Sequence, residues 1–170
     1  PVIGVGHSIG GIVTLRAALR KPENFRALIL LDPVLFVPSR LVVWNFVRKM
    51  GLGNRFHPLI AGALRRRRTF DNLDEAFDGY RSRSIFKYLS DESLRAYTAG
   101  IAKPKDGGEF ELAYSPEWEA RIYLTAMRDF DLWRDLPKLK VPTLIIRGAE
   151  TDTFLEKAAD LVKEKNPRIE

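Results

Sequence analysis

The sequence predicts an α/β fold in which parallel strands alternate with helices and a mainly helical segment is inserted between them. Three observations predict it. A short apolar run, Val2 to Val5, passes through Gly6-His7-Ser8-Ile9-Gly10-Gly11 straight into an amphipathic stretch, and a second apolar run, FRALILL, follows at 25–31. That order, strand then helix then strand, implies a parallel pair joined by a crossover. A third apolar run, TLIIRG, begins at Thr143 and again leads into a helical spacing. Between them, 39–133 reads as mostly helical. The expected organisation is therefore core 1–38, insertion 39–133 and core 134–170.

The elements follow in order. Residues 2–5 read as a buried strand. In 10–20, Ile12, Val13, Leu15, Ala18 and Leu19 recur at helical spacing, and Lys21-Pro22 ends the helix. The run 25–31 has the largely apolar character of a strand covered on both faces, and Asp32-Pro33 stops it. Leu41, Val42, Trp44, Phe46 and Val47 surround a largely apolar helix that Gly51 closes. A further helix is expected in 58–68. Asn72 with Glu75 forms a cap for a helix over 73–83, and Ser90 caps the segment reaching Tyr97. An Asp-Gly-Gly turn at 106–108 precedes alternating Phe110, Leu112 and Tyr114, the pattern of a short strand. Ser115-Pro116-Glu117 is a helix start, with the helix expected to reach about Met127. The strand at Thr143 gives way to a polar loop, AETDTF, then to a helix over 154–165 with Leu155, Ala158, Ala159 and Val162 inward. Asn166-Pro167 breaks that helix, and Arg168-Ile169-Glu170 approaches one more strand.

Composition narrows the function classes. A hydrophobic share of 45% and a charged share of 29% are those of a globular domain with a real core. No apolar run approaches the roughly 20 residues that cross a membrane. The chain has no Cys, which removes disulfides, thiolate metal sites and a Cys nucleophile. The net charge is +6, and its sharpest feature is Arg65-Arg66-Arg67-Arg68. On a helix, four consecutive residues are distributed around the axis at about 100° each, and Asp71, Asp74, Glu75 and Asp78 follow to neutralise them. Without an accompanying motif the run is read as a solvated structural feature, and no nucleic-acid partner is expected. The chain opens at Pro1 inside an apolar strand pattern and is read as an excised piece, so the lack of a leader says nothing of targeting. The compartment stays open, with the cytoplasm as default. The oligomeric state stays open too.

A serine set between glycines where a strand turns into a helix has a chemical logic. The sharp turn holds the serine at positive φ and projects its hydroxyl into a cleft. Residues two before and two after must then be small, here Gly6 and Gly10. The N–H of the next residue, Ile9, faces the same cleft as half of an oxyanion hole, and the helix N-terminus favours developing negative charge. With an apolar strand before it and a helix after, Gly6-His7-Ser8-Ile9-Gly10-Gly11 resembles the nucleophile elbow of the α/β-hydrolase superfamily. The resemblance extends along the chain: LLDPVLF, a helical insertion, then VPTLIIRGAETD are similar to the later, C-terminal part of such a fold with a helical cap.

The resemblance implies a serine nucleophile, Ser8, with its oxyanion donor at Ile9, and an acid in the loop after the strand that follows the cap. Asp152 lies in that loop. Glu150 is a near neighbour, and Asp32 is a rival because some members carry the acid one strand earlier. A serine hydroxyl also needs a base. His7 sits beside Ser8 on the elbow and is expected to point elsewhere. His57 lies in the cap and reads as a partly exposed structural residue. In the family the catalytic histidine follows the last strand, beyond Glu170, and the second oxyanion donor comes from a loop near the start of the fold. The chain is thus expected to carry nucleophile, acid and cap, and by itself to lack triad turnover.

The implied activity is serine hydrolysis of an ester-like or similar acyl substrate, a small and apolar molecule, with no metal or organic cofactor needed. C–C bond hydrolysis of a diketone by the same triad is an alternative, and so is a non-catalytic ligand receptor of the same fold. Trp44, Phe46, Phe56, Phe77, Phe86, Tyr114 and Trp118 offer an apolar roof for a substrate, or else pack the cap onto itself.

Overall fold

A computed structural model describes residues 1–126 and 128–170, the side chains at 54, 56 and 58 aside. In chain order the first elements are β1 (Val2–His7), α1 (Ile9–Arg20), β2 (Phe25–Leu31), α2 (Pro38–Lys49), α3 (Gly53–Phe56), α4 (Pro58–Leu64), β3 (Thr69–Phe70) and α5 (Leu73–Arg81). Then come α6 (Asp91–Ile101), β4 (Ala102–Pro104), β5 (Phe110–Leu112), α7 (Pro116–Thr125), α8 (Phe130–Asp135), β6 (Thr143–Ile146) and α9 (Glu156–Lys165). The chain packs as two units, Pro1–Leu52 with Ala126–Glu170, and Gly53–Thr125.

The first unit holds a parallel sheet in the order β1-β2-β6. Gly4 and Gly6 of β1 pair with Leu28 and Leu30 of β2, which pair in turn with Thr143 and Ile145 of β6. Side chains alternate along a strand, so these positions share one face of the sheet. Leu28 and Leu30 are fully buried there, and α1 packs on β1 and β2 through Ile12, Leu15 and Ala18.

The other face differs from the expectation of strands covered on both sides. Ile3, Val5, Leu144 and Ile146 are exposed. The apolar runs satisfy a two-sided burial pattern, yet the described residues supply helix cover for the face that α1 occupies. Val13, expected inward, is exposed for a related reason: it falls off the stripe defined by Ile12, Leu15 and Ala18. Leu155, also expected inward, is exposed because it precedes the first residue of α9 and only Ala158 and Val162 are buried along that helix.

Ile169 makes a parallel bridge to Thr143, Glu170 N–H donates to Thr143 O at 3.0 Å, and Ile145 N–H donates to Glu170 O at 2.7 Å. The pairing expected beyond β6 therefore already begins at Ile169. Asn166 does more than break a helix. Buried, it donates from Nδ2 to the carbonyls of Leu136 and Leu139, both at 3.0 Å, and so ties the end of α9 to the approach of β6.

The helices α2 and α8 pack with the sheet unit, so the compact second unit is shorter than the 39–133 insertion read from helical periodicity. Trp133 of α8, buried, donates from Nε1 to Phe36 O at 2.8 Å, and Leu41 and Trp44 of α2 are buried. Arg16 of α1 reaches Asp129 at 2.7 Å and grips Asp131 through both terminal nitrogens, at 2.7 and 2.9 Å. The hydrogen bonds to Asp131 hold the guanidinium above its ordinary value and the Asp131 carboxyl below its own. A planar fork that serves two carboxylates fixes α1, and with it the start of the helix, against the 129–131 segment. The end of α2 is closed as expected. Gly51 at φ 74 donates to Arg48 O, and Leu52 N–H donates to Val47 O at 3.1 Å, which satisfies the last carbonyls.

Among the described residues, the second unit shows two small cores. Phe70, Ala76, Phe77, Tyr80 and Leu94 form one, with Phe86 and Tyr97 packed against it. Ile60, Ala63 and Ala120 form the other, where α4 meets α7. Asn72 caps α5 by accepting from Glu75 N–H at 2.9 Å, and Ser90 caps α6 through Ser93 N–H at 3.2 Å. The expected short strand is part of an antiparallel sheet, β3-β5-β4, with Gly107 and Gly108 at positive φ in the β4–β5 turn.

The arginine run corrects one reading. α4 ends at Leu64, so Arg65–Arg68 lie in the connection to β3 and do not ring a helix. Arg66 pairs with Glu119 at 2.9 Å, Arg67 with Glu75 at 2.6 Å and Arg68 with Glu117. Of these carboxylates the sequence points to Glu75 alone, because the partners on α7 are brought in by folding. The helix end expected near Met127 lies outside the described residues. No helix among those described is long and apolar enough to cross a membrane.

Candidate active site

Parallel strands place their carboxyl ends along one edge of a sheet, and the connections that leave that edge carry the sequence-predicted residues. Ser8 follows β1, Asp32 follows β2, and the loop of residues 147–155 follows β6.

Ser8 sits at φ 54 and ψ −123, the strained turn expected of it. It occupies the N-cap position of α1, yet its hydroxyl makes no capping hydrogen bond. A serine at a helix start ordinarily turns its oxygen back onto the helix N–H groups. Here the backbone angle directs the side chain away from that role. The turn is held through the main chain instead. Ser8 N–H donates to Leu31 O at 3.0 Å, and Ser8 O accepts from Gly11 N–H at 3.1 Å and Val34 N–H at 3.3 Å. Ile9 is the first residue of α1, so its N–H has no acceptor within the helix.

The elbow glycines are not equivalent. A Cβ on Gly6 would lie 2.4 Å from Gly10 O and 2.7 Å from Thr14 Oγ1. A Cβ on Gly10 would meet nothing within 4 Å among the described residues, so the steric demand expected at Gly10 falls elsewhere. It falls on Gly11, whose added Cβ would sit 3.0 Å from Pro33 Cβ and 3.3 Å from Gly6 O. The reason is geometric: Gly10 contributes its carbonyl to the contact with Gly6, and a Cβ on Gly10 would enter open space. Gly6→Ala is accordingly expected to lower the unfolding free energy by about 3 kcal/mol or more, since a backbone carbonyl cannot move aside. Gly10→Ala is expected to change it by less than about 1 kcal/mol. Urea titration of the two variants side by side checks the asymmetry.

Asp32 shows the densest polar contacts at this edge. Gly148 N–H donates to its Oδ1 at 3.1 Å, and the hydroxyls of Thr151 and Thr153 donate to its Oδ2 at 2.7 and 3.1 Å. Partial burial pushes this carboxyl up, but the donors from Thr151, Gly148 and Thr153 outweigh it, with a smaller attraction from His7, and hold it below the ordinary carboxylate value. Asp32 also has positive φ, 43°; apart from glycines, it and Ser8 are the positive-φ residues among those described. They lie next to one another, since β1 and β2 pair in register up to His7 and Leu31. Thr151 Oγ1 additionally accepts from Thr153 N–H at 3.1 Å and Phe154 N–H at 3.3 Å, a hydroxyl turn that closes the loop on itself.

Asp152 and Glu150 are both exposed in that loop. Asp152 stands between the two threonines that hold Asp32. The signal for this arrangement is the Thr-Asp-Thr sequence itself, hydroxyl residues that favour local turns on each side of a carboxylate, and sequence reasoning passes over it.

The two histidines lie one in each unit. His7 is exposed on the face of β1 that carries Ile3 and Val5, opposite α1. His57 precedes α4 in the second unit, partly exposed, with its ring stacked on Tyr123 at 5.8 Å, and burial holds it below the usual histidine range. Hydrogen bonding to Glu119 adds to burial in pushing the Tyr123 hydroxyl up to about 12. Of the aromatic residues expected as a roof, Trp44 and Phe77 are buried and Phe86 packs into the Phe70–Leu94 cluster, whereas Phe46, Tyr114 and Trp118 are exposed. The Phe56 side chain lies outside the described residues. The described residues contain no cluster of His, Asp and Glu arranged to hold a metal ion.

Comparison with known proteins adds to this geometry. No curated protein matches the sequence significantly. Among solved structures, an esterase from M. tuberculosis is 20% identical with a TM-score of 0.67, over 98% of this chain and 52% of its own. E-2-(acetamidomethylene)succinate hydrolase is 19% identical with a TM-score of 0.68, over 98% of this chain and 55% of its own. A thioesterase domain from the curacin biosynthetic pathway is 17% identical with a TM-score of 0.65, over 100% and 56%. Each is a likeness of fold, and the chain spans about half the length of these structures. The model of the alpha/beta hydrolase family matches residues 1–169. That match runs from the first strand to the last residue but one and takes in the strained serine turn: the chain belongs to the alpha/beta hydrolase family.

Proposed function

We propose that this chain is the part of a serine hydrolase that bears the nucleophile and the acid, and that the protein at full length cleaves an ester-like or similar acyl substrate. The observation that carries the reading is Ser8, held at φ 54 on a strand-to-helix turn with its hydroxyl withheld from capping. In this reading Ser8 Oγ attacks the acyl carbon. The carbonyl oxygen takes up the electron pair and is held by the Ile9 N–H. The hydroxyl proton passes to an imidazole that Asp152 orients. Collapse of the tetrahedral species expels the alcohol or thiol, which takes that proton, and water then releases the acid by the same steps.

The imidazole is assigned to a histidine outside this chain. The placements of His7, opposite α1 on β1, and His57, stacked on Tyr123, support that assignment. The esterase and thioesterase among the similar structures agree in reaction type with this reading.

The test is turnover of p-nitrophenyl acyl esters of increasing chain length by the full-length protein, with fluorophosphonate labelling followed by peptide mapping. Labelling on Ser8 with ester turnover supports the reading. Labelling without ester turnover, together with cleavage of a 1,3-diketone, would move the assignment to C–C hydrolysis. Neither labelling nor turnover would leave a ligand-binding domain of this fold.

A further inference from the structure

On sequence Asp32 ends a strand and rivals Asp152 as the acid. In the structure it stands between the two halves of the candidate site. On one side its turn is tied to the nucleophile's own peptide: Ser8 N–H bonds to Leu31 O, and Val34 N–H bonds to Ser8 O. On the other side its carboxylate collects three donors from the loop after β6, and two of them, Thr151 and Thr153, are the immediate neighbours of Asp152. A third tie, Asp32 N–H to Ile146 O at 2.7 Å, fixes the start of that same loop. The left-handed backbone of Asp32 is strained for a side chain with a Cβ, and such strain persists where surrounding contacts over-determine it.

We propose that Asp32 is a positioning residue that sets Asp152 relative to Ser8 by bracing the 148–153 loop. The inference rests on the catalytic reading of Ser8 and Asp152 and assigns Asp32 no contact with the substrate. Its three donors are satisfied by the brace, which leaves Asp152, exposed at the loop's centre, as the carboxylate that turns outward to an imidazole. A loop misplaced by about 1 Å at such a site can cost about 100-fold in rate.

The effect must pass through Asp152, and that makes it measurable. In the full-length protein, with activity read above the Ser8→Ala baseline, Asp32→Asn is expected to lower kcat by about 10- to 100-fold with KM within about threefold. Thr151→Val, which keeps the Asp32 charge and removes its closest donor, is expected to lower kcat in the same direction, and Thr151→Ser to restore it to within about threefold of wild type. Added to Asp152→Asn, the Asp32→Asn change is expected to cost nothing further, because a brace has no effect once the group it positions is gone. Full additivity in that double variant, or wild-type kcat in both Asp32→Asn and Thr151→Val, overturns the proposal while leaving Ser8 and Asp152 in place. Failure of both single variants to fold, seen by circular dichroism, also overturns it by reducing Asp32 to a structural role. Wild-type turnover in Asp152→Asn with loss in Asp32→Asn makes Asp32 the acid itself and overturns the brace. Turnover surviving Ser8→Ala removes the catalytic reading, a result distinct from the others.

Discussion

Ser8→Ala in the full-length protein is expected to abolish fluorophosphonate labelling and to lower kcat for a short acyl ester by about 10³-fold or more. The substitution removes one oxygen from a position where the oxygen has no structural duty: the Ser8 hydroxyl makes no capping bond, and the turn is held by the main chain through Leu31, Val34 and Gly11. Stability should therefore change by less than about 1 kcal/mol, and the melting temperature should stay near that of the parent. This separation of rate from stability is the informative part. A serine kept only for the turn would show the opposite, an altered melting temperature with turnover preserved. Rates and melting curves on the same preparation read both.

Asp152→Asn carries the second-largest expected effect, about 10²- to 10⁴-fold in kcat with KM changing far less. The amide keeps the shape of the carboxylate but is neutral and can donate, so it favours the wrong imidazole tautomer and gives the imidazolium no counter-charge. Asp152 is exposed, and the hydrogen bonds that close its loop belong to Thr151, Thr153 and Asp32, so the loop itself should survive the change. Glu150→Gln, two residues away in the same exposed loop, is expected to stay within about threefold of wild type. Steady-state kinetics of the pair measure it. A larger loss in Glu150→Gln than in Asp152→Asn would transfer the acid to Glu150.

Features that local chemistry decides are legible in the sequence. The three parallel strands, the helix after the serine, the caps at Asn72 and Ser90, the stop at Gly51 and the positive φ of Ser8 each depend on residues within about six positions of one another. Hydrophobic period, a side-chain oxygen before a helix and a glycine after one act at that range. The elbow belongs with them, since Gly6, Ser8 and Ile9 define strand, turn and helix start by adjacency alone.

What the tertiary structure alone decided lies between residues far apart in the chain. Asp32 meets Gly148, Thr151 and Thr153 across 116, 119 and 121 positions, and Arg16 meets Asp129 and Asp131 across 113 and 115. No periodicity encodes such pairs, because each depends on where two strand ends or two helices come to rest. The same holds for Gly11 in place of Gly10 as the crowded elbow glycine, which is set by the approach of Pro33 from the segment that follows β2. The strands β3 and β4, of two and three residues, are too short to show alternation and exist through their pairing with β5. An apolar run states only that a strand can be buried on both faces; which face is covered depends on the elements packed against it, and here α1 covers the side of Leu28 and Leu30 while Val5 and Ile146 stay exposed.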